Sequence, residues 1–190
     1  MLKELVDKNR SHREFVSGAA VPEQSIRRWI AMANHCPAAM NLQALKYKIV
    51  TNSKEVAKLL PLTRWAASLS KKLPPEGHGP TAFVVMCHDT SIAPIKPIFM
   101  IDVGICAQTV MLAATEDGYG GCMIGSATAK VIQDALSLSD ELTPVLLLGI
   151  GVPEDEVVLT TAKDGDTKYY RDENNVHYVP KRELDQIIIK

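Results

Sequence analysis

The sequence predicts one domain of mixed helices and strands, and three observations carry that prediction. Apolar residues recur at helical spacing at Leu2, Leu5 and Val6, and again at Ile26, Trp29, Ile30 and Ala33. Short β-branched or wholly apolar runs stand between such stretches, at Tyr47 to Thr51, Thr81 to Cys87 and Thr143 to Gly151. The 190 residues are 46% hydrophobic and 23% charged, the composition of a globular chain long enough for a sizeable core.

The first helix runs into Asn9-Arg10-Ser11-His12-Arg13, where the helical pattern fails. Paired guanidinium groups beside a serine hydroxyl suit a phosphate, although an isolated pattern of this kind is more often a solvated turn. His12 is given no role. Val21-Pro22-Glu23-Gln24 starts the second helix, with proline tolerated in the first turn and acidic charge at the positive end of the dipole. Trp29 reads as core. Pro37 ends the pattern, because proline has no amide hydrogen and disfavours helix in the residue before it.

The stretch Cys36-Pro37-Ala38-Ala39-Met40-Asn41-Leu42-Gln43-Ala44-Leu45 then breaks every periodicity around it. Asn41 and Gln43 each carry a donor and an acceptor beside small residues, which matches the edge of a flat heterocycle and also the needs of loop backbone. A strand at Tyr47 to Thr51 leads to a helix from about Lys54 to Leu60, and Arg64 to Leu73 reads as helical too. Pro74 to Pro80 is expected to be a mobile surface loop. Thr81 to Cys87 reads as a strand covered on both faces.

Phe99 to Asp117 is apolar on nearly every side. Asp102 and Gly104 interrupt it too early for a membrane span, so it is expected to be a central helix, buried by its own domain and by a second copy of the chain. The glycine-rich stretch Gly118 to Ser126 fits neither the dinucleotide nor the phosphate-loop pattern. It either caps the helix and turns into a strand or leaves one face open to a planar cofactor. Val131 to Leu138 reads as a short helix and Thr143 to Gly151 as a central strand. The charged segment from Lys163 to Tyr178 reads as a small hairpin or extended arm, and an apolar terminus follows through Ile187 to Ile189.

The formal net charge of −1 gives no argument for a nucleic-acid or membrane partner. Cys36, Cys87, Cys106 and Cys122 are widely spaced, without a C-x-x-C pair, and read as reduced residues of a cytoplasmic protein rather than a disulfide or metal framework. The N-terminus alternates charge with apolar residues, unlike a signal peptide.

Taken in order, Arg10-Ser11-His12-Arg13 with Phe15, Pro37 to Gln43, Asp102-Val103-Gly104 with Gln108, the Gly118 to Ser126 turn, Gly149-Ile150-Gly151-Val152-Pro153 and Lys168 to Arg171 resemble the nitroreductase family of FMN-dependent oxidoreductases. The resemblance implies an α+β, three-layer fold with a mainly antiparallel central sheet. It also implies a domain-swapped homodimer with FMN at the interface, residues 163–190 forming the arm that reaches the partner. In it, Arg10, Ser11 and Arg13 hold the FMN phosphate with Arg171 and Lys168. Pro37, Ala38, Asn41 and Gln43 line the ribityl chain and ring, and backbone at Ile124 and Gly125 faces the reactive edge.

The chain departs from that pattern at Asn9, where the family often has arginine, at Ala38, where it usually has serine, and at Ala44 and Leu45, where it has proline and tryptophan. The last pair places the difference in substrate choice. The expected activity is ping-pong hydride transfer from NADH or NADPH through flavin N5 to a nitroaromatic, quinone or similar small acceptor, with no side-chain acid or base and no metal. The alternatives are a non-catalytic FMN-binding protein for storage or sensing, and a flavoenzyme that oxidises or dehalogenates a small metabolite.

Overall fold

The computed structural model describes residues 1–66, 69 and 71–189. Four strands form an antiparallel sheet in the order β1-β2-β4-β3, with β1 at Leu45–Val50, β2 at Ala82–Asp89, β3 at Gly120–Ile124 and β4 at Leu142–Gly151. The sheet is the middle of three layers.

β2 shows why. Ala82, Val84 and Met86 point into a core shared with α2 (Glu23–Ala33) and α4 (Phe99–Glu116), with Trp29, Val110 and Met111 in it. Phe83, Val85 and Cys87 point the other way, into a core closed by α3 (Ser53–Leu59) and α5 (Ala129–Ala135). A strand with helices on both faces gains apolar burial at every position, so its sequence loses the in–out alternation of a half-exposed strand. On the edge strand β1, Lys46 and Lys48 remain exposed while Tyr47 packs on the α2–α4 side, which keeps the open edge charged. α3 is capped by Asn52, whose side chain accepts from the amides of Lys54 and Glu55 at 3.0 and 3.4 Å.

α4 is the spine. By length and composition it would pass as a membrane span, but half of it is buried inside the domain, against α2 and the sheet. Ile98, which caps it, and Met100 and Ile101 in its first turn are exposed. α1 (Leu2–Lys8) lies against its other end, where the Thr115 hydroxyl donates to Asn9 Oδ1 at 3.4 Å.

Of three expectations, one is met, one fails and one is extended. The glycine-rich stretch caps the helix and turns into a strand, the first of its two readings: Gly118, at φ +85°, turns the chain out of α4, and Gly120 to Ile124 is β3. A Cβ on Gly121 would stand 2.3 Å from the Gly149 carbonyl oxygen, so glycine is required there for strand contact rather than for a ligand. The helix expected from Arg64 to Leu73 does not begin. Leu60–Leu62 is a 3₁₀ turn closed by Thr63, whose hydroxyl donates to the Leu60 carbonyl at 2.6 Å. Trp65 then leaves helical conformation to donate to Thr63 Oγ1 at 2.7 Å and pack edge-on against Phe15. Positions 67, 68 and 70 of that expectation lie outside the described residues.

Third, the C-terminal hairpin exists, β6 (Tyr170–Arg171) with β7 (His177–Lys181), but β7 also pairs in parallel with β5 (Val157–Thr161). That pairing spans two separate segments and leaves no local signal. A last short helix, α6 (Leu184–Ile187), leaves Leu184, Ile187 and Ile188 exposed.

Candidate functional site

The turn after α1 is stitched to the far end of the sheet. Ser11 forms a β-bridge with Gly121, and the His12 amide donates to the Gly121 carbonyl at 2.9 Å. Phe15 forms a second bridge with Pro153 and is wholly buried. This places Arg10, Ser11 and Arg13 beside the loop that follows β4.

Asp155, on that loop, organises the cluster. Its carboxylate accepts from His12 Nδ1 at 2.9 Å, from the Arg13 amide at 3.0 Å and from the Arg171 guanidinium at 3.1 Å. Burial works to raise this carboxyl, but the bonds from His12 and the Arg13 amide, with the charge of Arg171, outweigh it and hold it below the usual range. Arg171 also pairs with Glu14, which accepts from Asn175 Nδ2 as well. The Arg13 guanidinium donates to the Ser11 carbonyl at 3.1 Å, lies over the Tyr169 ring at 5.3 Å and meets His177 Nε2 at 3.2 Å. With a cation on that nitrogen, the proton of neutral His177 belongs on Nδ1. Burial, then the charges of Arg13 and Arg171, push this imidazole down to about 4.

One feature marks the cluster as more than a structural ion pair. The described residues leave five buried side-chain polar atoms without a partner: three are in this cluster, the Nε atoms of Arg13 and Arg171 and Nδ1 of His177, and a fourth is Nε of Arg10, whose Nη2 donates back to the Val6 carbonyl at 2.7 Å. Buried donors are normally bonded, and three of these belong to cations. The arrangement therefore fits an anionic, oxygen-rich group such as a phosphomonoester.

The other predicted residues divide. Lys168 is exposed, its amide bonded to Asp166 at 2.8 Å. Ile124 is buried at the end of β3, while the α-carbon of Gly125 meets open space. Three residues along a strand, about 10 Å, separate Ile124 from Gly121 and its bridge to Ser11.

Pro37, Asn41 and Gln43 are exposed and Ala38 is half-buried, around a 3₁₀ turn at Ala39–Asn41. The Ala39 amide donates to both oxygens of buried Asp102, at 3.0 and 3.1 Å. Met40, Asn41 and Gln43 all have φ near +50°, and among the described residues the Gln43 side chain bonds only to Asn41, at 3.3 Å. Ala44 is buried and Leu45 opens β1 against the core, so the side chains of these two departures face inward.

Within one chain, the Arg10 to Arg13 turn and this loop do not meet. The loop is tied to residue 102 and the turn to residue 115 of α4, roughly 20 Å apart along the helix axis.

Sequence reasoning missed Asp155, Glu14, His12 and His177. Asp155 lies in a short acidic run, and its partners stand up to 143 residues away, so neither spacing nor periodicity points to them.

A family model described as the nitroreductase family matches residues 6–152. Among solved structures, a nitroreductase family protein from Streptococcus pneumoniae TIGR4 shares 18% identity at a TM-score of 0.73, with 100% of both chains covered. One from Clostridium novyi NT shares 24% identity at a TM-score of 0.69, over 82% of this chain and 86% of that one. A third, from Exiguobacterium sibiricum 255-15, was solved in complex with FMN; it shares 18% identity at a TM-score of 0.65, over 82% of this chain and 89% of that one. At these identities the likeness is one of fold.

Proposed function

The chain belongs to the nitroreductase family, and from that premise we propose that it is an FMN-dependent oxidoreductase using NADH or NADPH to reduce a nitroaromatic, quinone or similar small acceptor in ping-pong order. The observation that carries the proposal is the set of unpartnered buried donors on Arg10, Arg13, Arg171 and His177. Bound FMN would supply hydride chemistry at N5.

The residues of this chain bind and orient. Arg10, Ser11 and Arg13 take the phosphate, with Lys168 swinging in from the surface. Arg171, whose charge is already answered by Glu14 and Asp155, adds its free Nε and keeps Asp155 aimed at the Arg13 amide. Backbone at Ile124 and Gly125 faces the reactive edge of the ring. Pro37, Ala38, Asn41 and Gln43 line the ribityl chain and ring, with the Asn41 and Gln43 amides free to turn from each other to the heterocycle. No side chain is assigned as acid or base.

The distance along α4 between turn and loop supports assembly across two copies, with the turn of one chain and the loop of another closing each site. Exposed Ile98, Met100 and Ile101 on α4, and Ile187 to Ile189 on the 163–190 arm, give such a homodimer apolar surface to bury. A cytoplasmic setting agrees with four free cysteines.

The test is a visible spectrum of the purified protein before and after anaerobic addition of each nicotinamide. A flavin spectrum that bleaches is expected. A colourless protein that gains no absorbance with added FMN overturns the reading, and bound flavin without NADH or NADPH turnover leaves storage or sensing instead. A monomer in sedimentation at micromolar concentration refutes the shared site.

A further inference from the structure

Cys36, just past α2, and Cys106, in the middle of α4, meet beneath the Pro37 to Gln43 loop. The Cys36 amide donates to the Ala33 carbonyl at 3.0 Å, and the Cys106 thiol donates to the same oxygen at 3.7 Å. The Cys36 sulfur lies 3.1 Å from the Thr109 hydroxyl, one turn along α4 from Cys106 and on the same face. Thr109 donates its own proton to the Ile105 carbonyl at 3.0 Å, so the Cys36 thiol is the donor to Thr109. Burial pushes the Cys106 thiol up, the nearby Tyr47 hydroxyl works against that, and neighbouring Cys36 and Asp102 push it further up.

Both cysteines line one cavity of about 50 Å³, with Ala38, Gln43, Tyr47 and Asp102. That volume admits a molecule somewhat larger than water. Cys36 is half-buried, whereas the other three cysteines are buried, so the first oxidation falls on Cys36. Among the described residues no lysine, arginine or histidine lines the cavity, which makes the pair slow-reacting thiols rather than a dedicated peroxide scavenger.

We propose that Cys36 and Cys106 form a reversible, peroxide-driven disulfide that clamps the Pro37 to Gln43 loop to α4. The Cys36 thiol releases its proton, the thiolate attacks one oxygen of hydrogen peroxide, the O–O bond breaks, and the departing hydroxide takes up that proton, so that the products are the Cys36 sulfenic acid and water. The Cys106 thiol then attacks the sulfenic sulfur; the S–S bond forms, the S–O bond breaks, and the hydroxyl leaves with the thiol proton as a second water. Two thiols are oxidised by two electrons and one peroxide is reduced to two waters. A dithiol reductant reverses the bond by exchange and is itself oxidised to its disulfide. The cross-link stands on its own; its effect on FMN rests on the function proposed above.

The test treats the reduced full chain with hydrogen peroxide, alkylates it under denaturing conditions and maps the cysteines by mass spectrometry. The expected product is a Cys36–Cys106 linked peptide that dithiothreitol splits, with Cys87 and Cys122 fully alkylated. In Cys106→Ser the Cys36 sulfenic acid should persist and be captured by dimedone. Alkylation of both residues after peroxide, oxidation of Cys36 to the sulfinic acid without a link in the wild type, or a link between two copies through Cys36 overturns the proposal. With the link formed, FMN retention should change severalfold and recover on reduction. A formed link with unchanged FMN retention upholds the clamp and faults the cofactor role given to the loop.

Discussion

The Arg10 to Arg13 turn and the Pro37 to Gln43 loop are both short joints between regular elements, yet they are held in opposite ways. The turn is bridged to β3 through Gly121, fastened by its Arg13 amide to a buried carboxylate and followed by a wholly buried phenylalanine. The loop hangs on one amide–carboxylate contact at Asp102, carries three non-glycine residues at left-handed φ, and leaves Met40 72% exposed. Each left-handed residue costs on the order of 1 kcal/mol. The chain therefore fixes the charged turn by itself and leaves the loop the less constrained of the two.

The sharpest way to break this contrast is Asp155→Ala. It removes the acceptor for His12, the Arg13 amide and Arg171 at once and leaves buried charge facing Glu14 alone. A loss on the order of 3 to 5 kcal/mol is expected in urea unfolding, and a loss under 1 kcal/mol would mean that the turn is held by the β3 bridge instead. Arg13→Ala comes next: removing one charged donor should weaken FMN binding by about 1.5 to 3 kcal/mol, read by flavin fluorescence titration. Unchanged affinity takes Arg13 out of the phosphate site.

Acid sharpens the contrast further. The His177 imidazole is pushed from 6.5 to about 4 in the folded chain, so the unfolded chain binds this proton first. Its contribution is fully present above pH 6.5 and is lost as pH falls towards 4. Asp155, also lowered, adds a further loss below the ordinary carboxylate range. Urea midpoints should drop across the upper window, and His177→Gln should flatten that drop; an equal slope in the variant removes His177 as its source. The smallest effect is expected at the loop. Asp102→Asn keeps an acceptor for the Ala39 amide but loses the charge, costing about 1 kcal/mol and showing as faster proteolysis between Pro37 and Gln43. Equal cleavage would show that Asp102 is not what holds the loop.

Much of the fold was legible because its causes are local. α2 and α3 follow from apolar spacing between Pro22 and Pro37 and from the Asn52 cap, and β2 from an apolar run that only a doubly covered strand tolerates. The glycine-rich stretch was legible as a cap turning into a strand, but not its demand for glycine at Gly121, which answers the Gly149 backbone on a strand met only after folding. Of the site, the arginine turn and the Pro37 to Gln43 loop were visible as breaks in periodicity. Asp155 and His177 were not, since neither residue does anything to its own neighbours in sequence that betrays its partner.

By itself the sequence determined the α+β layering, the two irregular joints and the family to which the chain belongs, because helix and strand periods are written in nearest-neighbour spacing and motif order survives unfolding. Only the tertiary structure decided that Arg13 and Arg171 share one carboxylate, that the two joints stand at opposite ends of α4, and that two distant thiols face one cavity. Those facts depend on contacts between residues far apart along the chain, and they come into being when the sheet brings the distant segments together.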